Sequence, residues 1–142
     1  MRLLRSLGYQ GLSMRDLEPY LAGQKQGKVV GLTFDDGYQN NLMHALPVLQ
    51  RHRFTATCYG VSGMVGGSNV WDSDKVQPKP LMTQAEWQAW LQAGMDVGSH
   101  TCTHAQLTDL DAASAREDER RQRHVGERAS EERGVAAQDR VD

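Results

Sequence analysis

Apolar positions fall into short runs separated by polar and glycine-rich stretches, and their period changes along the chain. Leu17, Tyr20 and Leu21 share one side of a helix over 13–21, with Ser13 as cap, Asp16 three residues on and Gly23 as the stop. Val29 to Phe34 is a short apolar run of the kind buried on both faces of a sheet. Asn40 to Arg51 carries Leu42, Leu46 and Leu49 near helical spacing, but proline breaks a helix interior, so the helix kinks or starts anew at Pro47. Phe54 to Val61 is β-branched and aromatic, as a strand requires. Ser62 to Pro80 is rich in Gly, Ser, Asp and Pro and reads as a long loop. Thr83 to Ala93 has a capping box in Thr83 and Glu86, a buried stripe in Trp87, Trp90 and Leu91, and a stop at Gly94. Met95 to Ser99 is a third short strand, and Thr108 and Asp111 offer caps for a last helix.

Strands alternating with helices predict an α/β fold with parallel strands and right-handed crossovers. A chain of 142 residues is long enough for one domain with a core. It divides into a helical lead-in (1–27), an α/β domain (28–115) and a charged tail (116–142). The tail holds 7 arginines and 8 acids in 27 residues, with no Leu, Met, Phe, Trp or Tyr. Such a segment buries too little to offset its ordering entropy, so it is expected to be disordered or a solvated helix without a fold of its own.

Charge and hydropathy exclude several classes of partner. The formal net charge is −2, which gives no electrostatic footprint for nucleic acid or an anionic membrane. Mean hydropathy is −0.62, and no apolar stretch approaches the ~18 residues that span a bilayer. Residues 1–7 lack the sustained apolar core of a signal peptide, which by default places the chain in the cytoplasm. Cys58 and Cys102 form no disulfide framework; Cys102, between two histidines, reads as a metal ligand or a small filler.

The candidate chemistry lies in two short motifs. Thr33-Phe34-Asp35-Asp36-Gly37 sets two carboxylates at the end of the first expected strand, and His100-Thr101-Cys102-Thr103-His104 follows the third. In parallel α/β folds such strand ends share one face. An Asp-Gly pair alone is a turn signal, but it gains weight from the histidines. Four residues apart on a helical turn, His100 and His104 would face one side. With one carboxylate they make a two-nitrogen, one-oxygen set that suits zinc, and also cobalt, nickel or iron, with positions left open. Neighbouring residues at a strand end point in different directions. One aspartate can therefore reach a metal while the other takes a proton from water beside it. His44 and His52, on a helix without ligand-spaced neighbours, and His124, in the charged run, read as solvated. Trp71 in the long loop reads either as a sugar-stacking ring or as a loop anchor.

Thr33-Phe34-Asp35-Asp36-Gly37-Tyr38 and His100-Thr101-Cys102-Thr103-His104 resemble the first two motifs of the polysaccharide deacetylase family (carbohydrate esterase family 4, the chitooligosaccharide deacetylase homology domain). Ala45-Leu46-Pro47-Val48-Leu49, Phe54-Thr55-Ala56-Thr57 and Gly98-Ser99 extend the resemblance over about 28–115. The resemblance implies the N-terminal part of a distorted (β/α) barrel. It implies Asp35 as general base and Asp36, His100 and His104 as ligands of a divalent metal, zinc first, with cobalt or nickel as alternatives. The implied reaction is hydrolysis of N-acetyl groups on an amino-sugar oligo- or polysaccharide, with the metal and a backbone N–H stabilising the oxyanion.

The family's third motif (an arginine and a Pro-Tyr pair), its Asp- and Trp-bearing fourth and its Leu-x-His fifth, which supplies the general acid, have no counterpart here. A full barrel takes ~250 residues. The expectation is a truncated or frame-shifted member with an open sheet edge. Its alternative functions are an inactive remnant that binds metal or sugar without turnover, or a half completed by a second polypeptide.

Overall fold

A computed structural model describes residues 1–121. Five short strands run parallel: β1 (Gln10–Leu12), β2 (Val29–Gly31), β3 (Thr33–Phe34), β4 (Thr57–Gly60) and β5 (Asp96–Ser99). β1 pairs with β2, and β3, β4 and β5 form a second sheet in that order. The single strand expected from Val29 to Phe34 is divided at Leu32. There the N–H donates to the Leu12 carbonyl (2.9 Å) while the C=O accepts from the Thr57 N–H (3.0 Å). Leu32 thus hands the chain from β1 to β4. The lead-in is not wholly helical, because it contributes β1. Nor is the 29–34 run fully buried; its residues are half-buried or exposed.

Among the described residues, five α-helices accompany the strands: α1 (Arg2–Ser6), α2 (Met14–Leu21), α3 (Leu46–His52), α4 (Gln84–Gln92) and α5 (112–121). Ser13 caps α2, its Oγ accepting from the Asp16 N–H (3.2 Å). Only Leu17 of the expected α2 face is buried. Leu21 is 70% exposed, because the last turn of α2 leads into open space at Gly23. The proline in 40–51 is resolved by a fresh start: a π-helical segment Asn41–Ala45 gives way to α3, with Pro47 in the first turn, where an N–H has no intrahelical partner.

β4 and the residues before it show the strand period of two. Phe54, Ala56 and Cys58 are almost wholly buried and join Leu49, Met82, Trp90 and Met95 in the core. The alternate residues make a polar latch to α2. Thr55 Oγ1 donates to Asp16 (2.7 Å), and Thr57 Oγ1 accepts from the Met14 N–H (2.8 Å) and donates to Asp96 (3.1 Å). The capping box of α4 is present, with Thr83 Oγ1 accepting from the Glu86 N–H and the Glu86 carboxylate accepting from the Thr83 N–H. Trp90 is the core residue of α4, and its Nε1–H donates to the Asp96 carbonyl (2.9 Å). Trp87 and Leu91 are only half-buried.

The long loop 62–80 has two 3-10 turns, Ser62–Met64 and Val70–Asp72. It folds back on the domain through a bridge between Ser68 and Pro80 and through buried Asn69, whose Oδ1 accepts from the Lys79 N–H (2.5 Å). The architecture is the N-terminal part of a (β/α) barrel. No helix among the described residues is long and apolar enough to cross a membrane.

Candidate metal centre

Parallel pairing puts the C-terminal ends of β3, β4 and β5 on one side. After β3 the chain turns sharply, with Asp36 at φ 69° and Gly37 at φ 75°. The left-handed region is open to glycine, and aspartate enters it more readily than most residues. The turn rests on Trp87: a Cβ added to Gly37 would lie 2.5 Å from Trp87 Cζ2, and one added to Gly60 would lie 2.6 Å from the same atom. Trp87, read from sequence as core, is the floor beneath the acid-bearing turn.

His100 follows β5 directly, and its N–H donates to the Gly60 carbonyl (2.9 Å). The expected helical turn from His100 to His104 is absent. The segment is a loop with two left-handed residues, Thr101 at φ 62° and His104 at φ 59°. Two backbone bonds from the 62–64 turn support it: Ser62 N–H to the Thr101 carbonyl (3.1 Å) and Gly63 N–H to the Cys102 carbonyl (2.9 Å). The loop nevertheless achieves what the helical spacing was expected to do. His100 Nε2 and His104 Nε2 each lie 3.2 Å from Asp36 Oδ1.

Asp36, His100 and His104 each offer one ligand atom, all within 4.8 Å of one another. Bonds of about 2.0–2.2 Å to zinc in tetrahedral geometry imply ligand–ligand edges of about 3.3–3.6 Å. The two observed 3.2 Å separations fit a cation of that size at the centre. The donor set therefore fits a divalent metal, without selecting among zinc, cobalt and nickel.

Trp71 stacks on His104, with ring centroids 4.2 Å apart and planes 9° from parallel, so the loop tryptophan packs against one of the three. The Tyr38 phenol is raised above its ordinary value by burial first, then by the charges of Asp36 and Asp72 and its hydrogen bond to Asp36; a bond with Asn69 opposes them. Asp35 is exposed, one residue from Asp36 and outside the three-residue cluster. Cys102 is half-buried and outside the cluster as well. Cys58 is buried in the core, which pushes its thiol up to about 12. His44 is exposed, His52 lies half-buried against Phe54 (5.8 Å), and His124 falls outside the described residues.

Sequence reasoning missed Asp118, which sits in the charged run beyond the expected boundary at 115. It is 7% exposed, and its carboxylate accepts from the Cys102 N–H (2.8 Å) and from Thr103 Oγ1 (2.9 Å). One signal was available: Ala115 and Asp118 lie three apart on one face of a helix that Asp111 caps.

A family model described as polysaccharide deacetylase matches residues 22–136. YxkH of Bacillus subtilis (strain 168), provisionally named a polysaccharide deacetylase, is 30% identical over 112 residues, which are 78% of this chain and 36% of YxkH. The structure of IcaB from Ammonifex degensii is similar at 25% identity and a TM-score of 0.67, over 86% of this chain and 55% of that one. The deacetylase domain of BpsB from Bordetella bronchiseptica is similar at 25% identity and a TM-score of 0.59, over 71% of this chain and 41% of that one. The chain thus spans about a third of the curated relative and about half of these solved chains.

Proposed function

Because the chain belongs to the polysaccharide deacetylase family, we propose that it carries the metal-binding part of a hydrolase that removes N-acetyl groups from an amino-sugar oligo- or polysaccharide. The observation that carries this reading is the convergence of His100 and His104 on one oxygen of Asp36, at 3.2 Å each. Asp36, His100 and His104 would hold the divalent metal, zinc in the first instance. When bound, the cation supplies Lewis acidity towards an acyl oxygen and makes water more acidic.

The residues divide the remaining work. Asp35, exposed beside Asp36, accepts the proton of the attacking water at its carboxylate. Water's attack on the acetamide carbonyl forms the new C–O bond, and the proton held by Asp35 then passes to the nitrogen as the C–N bond breaks, which yields acetate and the sugar amine. Trp71 fixes the plane of the His104 ring, and Tyr38 holds Asp36 by a hydrogen bond. The half-exposed imidazoles leave the site open on the side from which a polymer would approach.

The test uses the full chain with added zinc or cobalt. Acetate release from chitooligosaccharides is measured alongside bound metal by elemental analysis. Asp36→Ala and His100→Ala should lose the metal, and Asp35→Asn should keep it while losing turnover. A folded wild-type chain that binds no metal would sink the reading. One that binds metal without releasing acetate would leave only the binding function.

A further inference from the structure

Asp118 is a buried acid in a run of exposed charges. Glu119, Arg120 and Arg121 on the same helix are exposed, and Glu117 is paired with Arg120 and Arg121 (2.8 and 3.0 Å). Both Asp118 oxygens instead serve one loop: Oδ2 accepts from the Cys102 N–H and Oδ1 from the Thr103 hydroxyl. Those donors lie between His100 and His104. The helix is fixed at its start by Asp111, which accepts from the N–H groups of Ala113 and Ser114 (2.9 Å each). It therefore acts as a strut that carries the Asp118 carboxylate.

The loop needs such a strut. Thr101 and His104 both hold left-handed backbone that disfavours residues other than glycine, and such conformations persist only when their surroundings over-determine them. The 62–64 turn ties the loop through the carbonyls of Thr101 and Cys102. Asp118 ties it through the opposite kind of group, an N–H and a hydroxyl, and hydrogen bonds to an ionised acceptor are the stronger kind. We propose that Asp118 is a positioning residue for the metal ligands. It locks the His100–His104 loop in the conformation that aims both imidazoles at Asp36. This inference rests on the metal-binding reading of the site.

The experiment measures zinc dissociation constants by competition with a chromophoric chelator, for the full-length wild type, Asp118→Ala, Asp118→Asn and Thr103→Val. Loss of outer-shell partners typically costs about 10–100-fold in metal affinity, so Asp118→Ala should fall in that range. Asp118→Asn keeps the shape and one acceptor oxygen and should lose less, as should Thr103→Val. Because Thr103 acts through Asp118, the double variant Asp118→Ala/Thr103→Val should bind zinc no more weakly than Asp118→Ala alone. Melting curves with and without zinc separate positioning from bulk stability: positioning shrinks the zinc-induced rise in Tm, whereas a purely structural role lowers both curves equally. If Asp118→Ala does not fold, Asp118→Asn and Thr103→Val decide. Wild-type zinc affinity in the folded variants, or an unchanged zinc-induced rise, would overturn the proposal alone. A wild type that binds no zinc would overturn both it and the metal reading.

Discussion

Replacing Gly37 by alanine probes how the acid-bearing turn is held. Gly37 has φ 75°, and its added Cβ would meet Trp87 Cζ2 at 2.5 Å and Cη2 at 3.2 Å. Gly94 is a matched control, with φ 84° and nothing within 4 Å of the same notional atom. Left-handed backbone costs a residue with a Cβ about 1–2 kcal/mol, offset by about 0.4–1 kcal/mol from stiffening the unfolded chain. Gly94→Ala should therefore lose about 1 kcal/mol. At Gly37 the overpacking adds about 1–3 kcal/mol. The Trp87 ring cannot simply slide away, since it also packs closely on Gly60. Gly37→Ala should thus lose about 2–4 kcal/mol, a large share of the about 5–15 kcal/mol that holds a domain together. Urea denaturation of the metal-free variants gives the comparison, and zinc titration gives its consequence for Asp36 next door. Zinc affinity should fall in Gly37→Ala and hold in Gly94→Ala. Equal urea midpoints would show that Trp87 does not brace the turn. Wild-type zinc affinity in Gly37→Ala would show that the turn does not set the position of Asp36.

Three further outcomes are expected. Trp71→Ala removes a stack worth about 0.5–1.5 kcal/mol and should weaken zinc binding about two- to tenfold, with Trp71→Phe retaining most of it; unchanged affinity in the alanine variant would reject a role for the ring. Glu86 is held below its ordinary 4.5, chiefly by the Thr83 backbone N–H, so its stabilisation is present above that value and is lost as pH falls through the lower folded value. Wild type should then lose more stability than Glu86→Gln between pH 7 and pH 3, read as urea midpoints, and parallel losses would count against the capping box. The Cys58 thiol, pushed up to about 12 by burial, should resist alkylation at pH 8 in the native chain and react on unfolding; native labelling at Cys58 in a peptide map would contradict its burial.

What the sequence disclosed follows from the range of the forces involved. α4 was legible because its signals are local: a cap, its reciprocal acid, a tryptophan stripe and a terminal glycine within twelve residues, 83–94. The burial of Phe54, Ala56 and Cys58 follows a period of two that reads directly from the chain. β1 was not legible, since Gln10-Gly11-Leu12 has too few residues to show a period. The break at Leu32 was hidden for a different reason: it reflects a change of hydrogen-bond partner, which is tertiary. For the site, the structure brings Asp36, His100 and His104 together as the spacing suggested, but with a different local structure. A spacing of four suits a helix, but here a loop delivers the same convergence. Asp118 has the composition of a solvated charge, and only what its helix face meets distinguishes it from Glu117 and Glu119.

Backbone strain gives an independent locator of the site. Among the described residues, the non-glycine residues with positive φ are Asp36, Arg53, Thr101 and His104. Arg53 has an ordinary cause, being the left-handed C-cap of α3. The other three are two members of the candidate metal cluster and the residue next to its third member. At about 1–2 kcal/mol each, such strain persists only if fixed contacts offset it. Those contacts are present: Trp87 beneath the Asp36–Gly37 turn, Trp71 against His104, and the backbone ties and Asp118 on the loop. None of them requires the metal. The cluster is therefore preformed, and the supports outside it should tune metal affinity by graded amounts, where loss of a ligand abolishes binding.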